Sequence, residues 1–380
     1  MVNCNVIGLQ LQSFNLAKDL FQRHIENNHE HKKKICIIGN GWSSYYLSKH
    51  LDKKKYLFKI ISPNEKILNT PKLVKYINEE VDIEFENKNV PIINDVVLDI
   101  NEKYNKIYTQ NNIIKYDYVV LCIGSEYNDF NIEGVDKYAM KLKNKDDILK
   151  LKKRIMNESN IKKICIIGSG ATGIELASKL KSMNYNIDII EGLDNILPGF
   201  NDITKTEIKN YLKDNQINLN LKNFVKKIDS QKIYTNEKEF NYDLVIWTGG
   251  IKFSGFKKTI LFNSLYKIKE IKPRGINVND DFSINNNKNI FCLGDIVANK
   301  GPPTAQNAKY QAIWLADYFN NNFDNEWLKK NEFKEKELGK ILHLNDKLYI
   351  ESNFYSGYLN KIFDYIINLF ILIYLYNITI

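Results

Sequence analysis

Short unbroken apolar runs, each stopped at once by glycine, recur along this chain of 380 residues. Residues 35–38 run into Gly39 and Gly41 as ICIIGNG, and residues 164–167 run into Gly168 and Gly170 as ICIIGSG. Three more runs stop the same way: YDYVVLCIGS from Tyr116, YDLVIWTGG from Tyr242 and NIFCLGD from Asn289. An apolar run without alternation marks a strand buried on both faces, as in a parallel sheet. Behind each ICIIG run comes a helical periodicity, YYLSKHL or IELASKLKSM, and then a second apolar strand, LFKIIS or YNIDII. Strand, glycine turn, helix and strand in that order predict two βαβ units, hence an α/β fold with two Rossmann-like domains.

The second turn, Gly168, Ser169, Gly170, Ala171, Thr172 and Gly173, is a complete GxGxxG. Its first glycine permits the turn, its second admits a pyrophosphate, and its third lets helix and strand approach closely. The helix N-terminus adds free N–H groups and partial positive charge. About twenty positions on, Glu191 closes the next strand, where a carboxylate binds ribose hydroxyls and repels a 2′-phosphate, favouring NADH over NADPH. In the first turn, Gly39, Asn40, Gly41, Trp42, Ser43 and Ser44, a serine replaces the third glycine, and Ser62 ends the following strand. Two such folds in one chain predict two dinucleotides, a flavin and a nicotinamide, with Gly124 and Gly250 ending the closing strands. Asp295, after Gly294, is placed to accept bonds from flavin ribityl hydroxyls or to cap a helix.

The chain carries 44% hydrophobic and 26% charged residues, a balance that suits globular domains. Its net charge of +9 is scattered among asparagines and acids rather than gathered in a basic arm, which argues against nucleic acid. Four of the five cysteines, Cys36, Cys122, Cys165 and Cys292, sit inside apolar runs, and no CxxC or CxxxxC pair occurs. A disulfide framework, a metal site and a dithiol redox centre are therefore not expected. The first 34 residues lack the apolar core of a secretory signal, and Asp19, Glu26 and Glu30 are foreign to a mitochondrial presequence.

These segments together resemble the type II NADH:quinone oxidoreductases, the alternative NADH dehydrogenases, within the two-dinucleotide flavoproteins. The resemblance rests on GNGWSSYYLSKHLDKKKYLFKIISP, GSGATGIELA, EGLDNILPGF, NIFCLGD and GPPTAQNAKYQA, in that order, from about residue 34 to 320. It implies that Gly39, Gly41, Trp42, Ser43, Ser62, Thr70, Gly124 and Asp295 hold FAD, and that Gly168, Gly170, Thr172, Gly173, Glu175, Glu191 and Gly250 hold NADH. It places Glu175 near the nicotinamide, and Ala305 and Gln306 beside the flavin ring and quinone head. Where the family's AQxAxQ ends in glutamine, this chain has Tyr310, with Gln311 one place later. The implied division is an extension over 1–32, an FAD-binding domain over 33–144 and 272–320, an NAD-binding domain over 145–271, and a membrane-associating region over 321–380.

Past residue 320 a charged, helical pattern, NEWLKKNEFKEKELGKILHL, leads to YIINLFILIYLY at residues 365–376. Spanning a bilayer takes about 20 apolar residues. The run suits a helix lying in the membrane interface, and a helix buried in a dimer or in the core is the alternative. The resemblance implies a monotopic enzyme passing electrons to a membrane quinone without pumping protons, at the mitochondrial inner membrane or the cytoplasmic side of another. Two other readings keep the flavin: a reductase with a soluble acceptor, and a sensor of NADH with little turnover.

Overall fold

The computed structural model describes residues 32–253, 271–272, 275–284, 287–336, 338–345, 347–352 and 355–359. In chain order its first elements are β1 (Lys33–Ile38), α1 (Trp42–His50), β2 (Tyr56–Ser62), β3 (Ile92–Asn94), β4 (Tyr118–Leu121), β5 (Ser125–Tyr127) and β6 (Ala139–Lys141). Then follow α2 (Lys145–Asn157), β7 (Lys163–Ile167), α3 (Ala171–Ser182), β8 (Asn186–Ile190), α4 (Asp202–Asp214), β9 (Asn218–Asn220), β10 (Leu244–Trp247) and β11 (Ile251–Phe253). The last are β12 (Ser283–Ile284), β13 (Asn287–Cys292), α5 (Ala305–Asn320), β14 (Lys340–Leu344), β15 (Lys347–Glu351) and β16 (Ser356–Leu359).

Two sheets form the α/β framework expected from the apolar runs. The first has the strand order β12-β13-β4-β1-β2-β3, with β1 parallel to both β2 and β4 and β13 parallel to β4. Strands from residues 283–292 thus return to the edge of a sheet begun 250 residues earlier. The second has the order β6-β10-β7-β8-β9, all parallel. Both ICII runs are buried throughout, Ile37 and Ile164 at 0% exposure, because a central parallel strand meets helices or other strands on both faces. The two polypeptide passages between the sheets pair as β5 and β11, antiparallel.

The segment beyond residue 320 departs from its helical pattern. Among the described residues of this segment, helix forms only over Asn325–Lys330, and β14, β15 and β16 make an antiparallel sheet. Gly339, at φ +123°, begins a stretch in which ILHL alternates between half-buried and buried positions, a strand period rather than a helical one. Leu342, Leu344 and Tyr349 join the apolar core of the second sheet. Glu351 fixes the docking by accepting from the Asn201 N–H at 2.9 Å and the Thr204 hydroxyl at 2.6 Å. No helix among the described residues is long and apolar enough to cross a membrane, and the run at 365–376 lies outside them.

Candidate dinucleotide sites

At the first turn the chain leaves β1 at Gly39, with φ +99°. A Cβ there would stand 2.4 Å from the Cys122 carbonyl oxygen, so only glycine lets the turn cross the end of β4. Gly41 caps α1, and a Cβ on it would meet nothing within 4 Å. That open side, at a helix N-terminus, is where an anionic group approaches. Ser44, in the third-glycine place, is fully buried, and its hydroxyl accepts from the Gly41 N–H at 2.8 Å and donates to the Gly41 carbonyl at 3.0 Å. The serine is therefore a cap as well as a small packing residue.

Several of the other expected flavin contacts stand at or beside strand ends of the same sheet. Ser43 is buried against the end of β13, 3.0 Å from where a Gly294 Cβ would stand. Asp295 accepts from the Ser125 hydroxyl at 2.7 Å, one residue after Gly124, and faces Lys143 at 3.7 Å. It lies in a short 3-10 turn capped by Leu293, so it is not the capping residue. Ser62 ends β2 and accepts from the Asn64 N–H. Thr70 opens an exposed 3-10 turn. Ala305 and Gln306 start α5, half-buried, with Thr304 as their cap.

Sequence reasoning missed three asparagines. The Oδ1 atoms of Asn40, Asn69 and Asn307 are buried and have no protein donor. Each adjoins an expected flavin contact, namely the Gly39–Gly41 turn, Thr70 and Gln306. A buried acceptor without a partner is costly, and a hydroxyl-rich and amide-bearing cofactor supplies the donors. The residues present thus fit FAD. The only signal in the sequence was asparagine beside motif positions, which a chain this rich in asparagine conceals.

The second turn repeats the logic more strictly. Gly168 has φ +104°, and a Cβ would stand 2.8 Å from the Thr248 carbonyl oxygen. Gly170 caps α3 with open space on its Cβ side, and a Cβ on Gly173 would fall 2.1 Å from the Gly168 carbonyl oxygen. Thr172 is exposed in the first turn of α3. Beside the turn lies a cleft of about 520 Å³ whose walls include Ser169, Gly170, Glu191, Thr248 and Gly250. Phe130, Leu193 and Phe224 rim it, each at least half exposed. Glu191, just past β8, accepts from the Ser169 N–H and hydroxyl, both at 2.8 Å, and from the Leu193 N–H at 2.9 Å. The carboxylate therefore splints the glycine turn as well as lining the cleft.

A family model described as pyridine nucleotide-disulphide oxidoreductase matches residues 33–312. The chain belongs to that family. Relatives include a probable NADH dehydrogenase of Dictyostelium discoideum, 28% identical over 83% of this chain and 80% of that protein. Another is the external NADH-ubiquinone oxidoreductase 2 of Saccharomyces cerevisiae mitochondria, 27% identical over 82% of this chain and 67% of that protein. Among solved structures, NDH2 from Plasmodium falciparum in complex with NADH has a TM-score of 0.77 at 22% identity, covering 90% of this chain and 95% of that one. The sulfide:quinone oxidoreductase of Aquifex aeolicus reaches 0.75 at 17% identity, covering 90% and 91%.

The family's name invokes disulfide chemistry, for which this member offers no reactive thiol among its described residues. Cys36, Cys122, Cys165 and Cys292 are free and buried. Burial pushes the first three thiols up to about 12 and raises Cys292 as well, so none is a thiolate at neutral pH.

Glu175 lies on α3 away from the phosphate turn, where its Oε1 accepts the His343 backbone N–H of β14 at 2.9 Å. Burial raises its pKa from 4.5 to about 7, against the opposing pull of that N–H and of Lys75. Burial and Lys75 lower the His343 imidazole to about 4. The two shifts act oppositely on stability. The raised Glu175 stabilises the fold below pH 4.5 and loses that contribution as pH rises through 7. The lowered His343 stabilises above pH 6.5 and loses its contribution as pH falls through 4. Glu175→Gln keeps the acceptor and removes one arm, so its melting temperature should rise relative to wild type between pH 4.5 and 7. A constant difference across that range, read by calorimetry, would place the titration elsewhere.

Gln311 is buried inside α5, where its Oε1 accepts the Gly294 N–H at 2.7 Å and its Nε2 donates to the Lys300 carbonyl at 2.9 Å. The displaced glutamine therefore ties α5 to the Gly294 turn, and half-buried Tyr310 holds the motif position.

Proposed function

We propose that the chain is an FAD-dependent NADH dehydrogenase that passes a hydride from NADH to FAD and two electrons onward to a membrane quinone, without pumping protons. One observation carries the reading: two glycine turns at the ends of central parallel strands, each open at its second glycine, within one chain of this family. When bound, the flavin supplies the redox chemistry by accepting hydride and returning electrons. The protein's share is placement. Gly39, Gly41, Trp42, Ser43, Ser62, Thr70, Gly124 and Asp295 would hold FAD, the α1 N-terminus offering N–H groups to its phosphates. Gly168, Gly170, Thr172, Gly173, Glu191 and Gly250 would hold NADH, and Glu175 would border the nicotinamide end. Ala305, Gln306 and Tyr310 would face the flavin ring and quinone head. No acid or base is needed for hydride transfer, so catalysis is orientation of two rings.

The first-sheet unit would be the FAD domain, 33–144 plus 272–320, with the NAD domain, 145–271, inserted. Residues 321–380 would attach the protein monotopically, through 365–376, to the mitochondrial inner membrane, a reading supported by a yeast relative whose name gives it as mitochondrial. Self-association through the same run is separable by gel filtration in detergent.

Glu191→Arg removes the ribose carboxylate and adds a cation facing a 2′-phosphate. The ratio of kcat/KM for NADPH to that for NADH should rise by about tenfold or more. An unchanged ratio in steady-state kinetics would contradict the assignment.

A second reading, with a soluble acceptor, is favoured by Gln311, whose amide is spent on Gly294 and Lys300. Anaerobic addition of NADH followed by a short-chain ubiquinone separates the readings. Bleaching and quinone-driven return of the yellow colour support the proposal. Bleaching that only a soluble acceptor reverses supports the second reading, and no bleaching refutes both.

A further inference from the structure

The outer face of α2 combines cations and apolar groups in a way neither dinucleotide site uses. Its inner face, Ile148, Leu151 and Ile155, is buried. On the outer face Lys150, Lys153 and Arg154 stand three and four residues apart, so they are neighbours on the helix surface. They line a groove of about 400 Å³ whose opposite wall is Lys137, Tyr138 and Met140. Arg154 pairs with Glu158 at 3.1 Å. Lys137 lies over the Tyr138 ring, and among the described residues Lys137, Lys150 and Lys153 form no ion pair. The other cations of α2 are engaged elsewhere, Lys145 with Glu84 and Lys152 with the Tyr76 carbonyl. Four cations against the Glu158 carboxylate leave three positive charges around one concavity. The C-terminal dipole of α2 amounts to about half a charge and offsets only a fraction of them.

Two apolar side chains share that face. Leu149 is 39% exposed and Met156 67%, two helical turns apart along one side of the lysines. A free phosphate ligand has no use for them, whereas a lipid leaflet takes cations at its headgroups and apolar side chains at its acyl boundary. We infer that this face of α2 is a docking surface for an anionic lipid bilayer, with headgroup phosphates entering the groove and Leu149 and Met156 resting on the acyl boundary. The surface is distinct from residues 365–376 and serves whichever acceptor the enzyme uses.

The test is co-sedimentation of the full chain, with its flavin, on vesicles of phosphatidylcholine with and without phosphatidylglycerol. Phosphatidylglycerol should lower the lipid concentration for half-binding in wild type, and added salt should reverse the gain. The double variant Lys150→Glu/Lys153→Glu should lose about tenfold or more of that gain. Binding to phosphatidylcholine alone should persist in it. Met156→Ser, with charge unchanged, should weaken binding to the anionic vesicles by a smaller factor. The variant sites are exposed, and an unaltered flavin spectrum and NADH bleaching verify the fold. A double variant that keeps the full phosphatidylglycerol gain overturns the inference. So does saturable binding of inorganic pyrophosphate that the double variant abolishes while vesicle binding stays intact, which would mark a site for soluble phosphates.

Discussion

Gly173→Ala is expected to leave a yellow protein that low concentrations of NADH bleach far more slowly. The added methyl would stand 2.1 Å from the Gly168 carbonyl oxygen, an approach that forces the first turn of α3 away from β7. Neither partner yields cheaply. Gly168 is pinned by its N–H to the Ile190 carbonyl at 2.9 Å, and its own φ of +104° is closed to other residues. Overpacking of this kind costs about 1 to 3 kcal/mol. That cost falls on the turn that would cradle the pyrophosphate, so the rate of flavin reduction at low NADH should drop by about fivefold to a hundredfold, at about 1.4 kcal/mol per decade. The first sheet is untouched, so flavin content should match wild type. Gly170→Ala is the informative companion. Its methyl enters open space and its φ of −68° is ordinary, so the fold should keep its stability while the methyl obstructs the phosphate path and raises KM. Equal NADH bleaching in Gly173→Ala and wild type, by stopped-flow absorbance, would mean the second turn does not hold the nicotinamide cofactor.

Gly39→Ala should give a colourless protein. Its methyl would lie 2.4 Å from the Cys122 carbonyl oxygen, at a φ of +99° that alanine rarely adopts. The strain and the clash together are worth about 2 to 5 kcal/mol, placed where β1, β4 and α1 converge. Cys122 cannot retreat, because its N–H is bonded to the Ile38 carbonyl at 2.8 Å, in register with β1. FAD content per chain, read at the flavin absorbance after gel filtration, should fall to near zero. A variant that retains a full complement would show that the first turn is only a turn.

Both glycine turns were legible in the chain because each rests on local chemistry. ICIIG with a helix behind it can do little else than turn out of a buried strand, and the three roles of the GxGxxG glycines reappear at Gly168, Gly170 and Gly173 as a positive φ, an open side and a close contact. What the chain concealed depends on partners far away in sequence. Glu191 reads as a ribose ligand, yet its bonds to Ser169 and Leu193 also hold the turn. The placement of Glu175 beneath β14 depends on a hairpin 168 residues later, whose alternation ILHL was lost in a charged, helical-looking segment. The buried Oδ1 atoms of Asn40, Asn69 and Asn307 carry no pattern, since a lone asparagine gives no sign of whether its carbonyl meets protein or cofactor. Gln311 shows the same limit: a one-place shift turned a motif glutamine into a brace between Gly294 and Lys300.

The most direct measurement of the central claim is the visible spectrum of the purified full chain before and after anaerobic NADH. Each polypeptide should carry one bound FAD, bleached by a single equivalent of NADH. A folded, colourless protein that refuses FAD on reconstitution would contradict that claim.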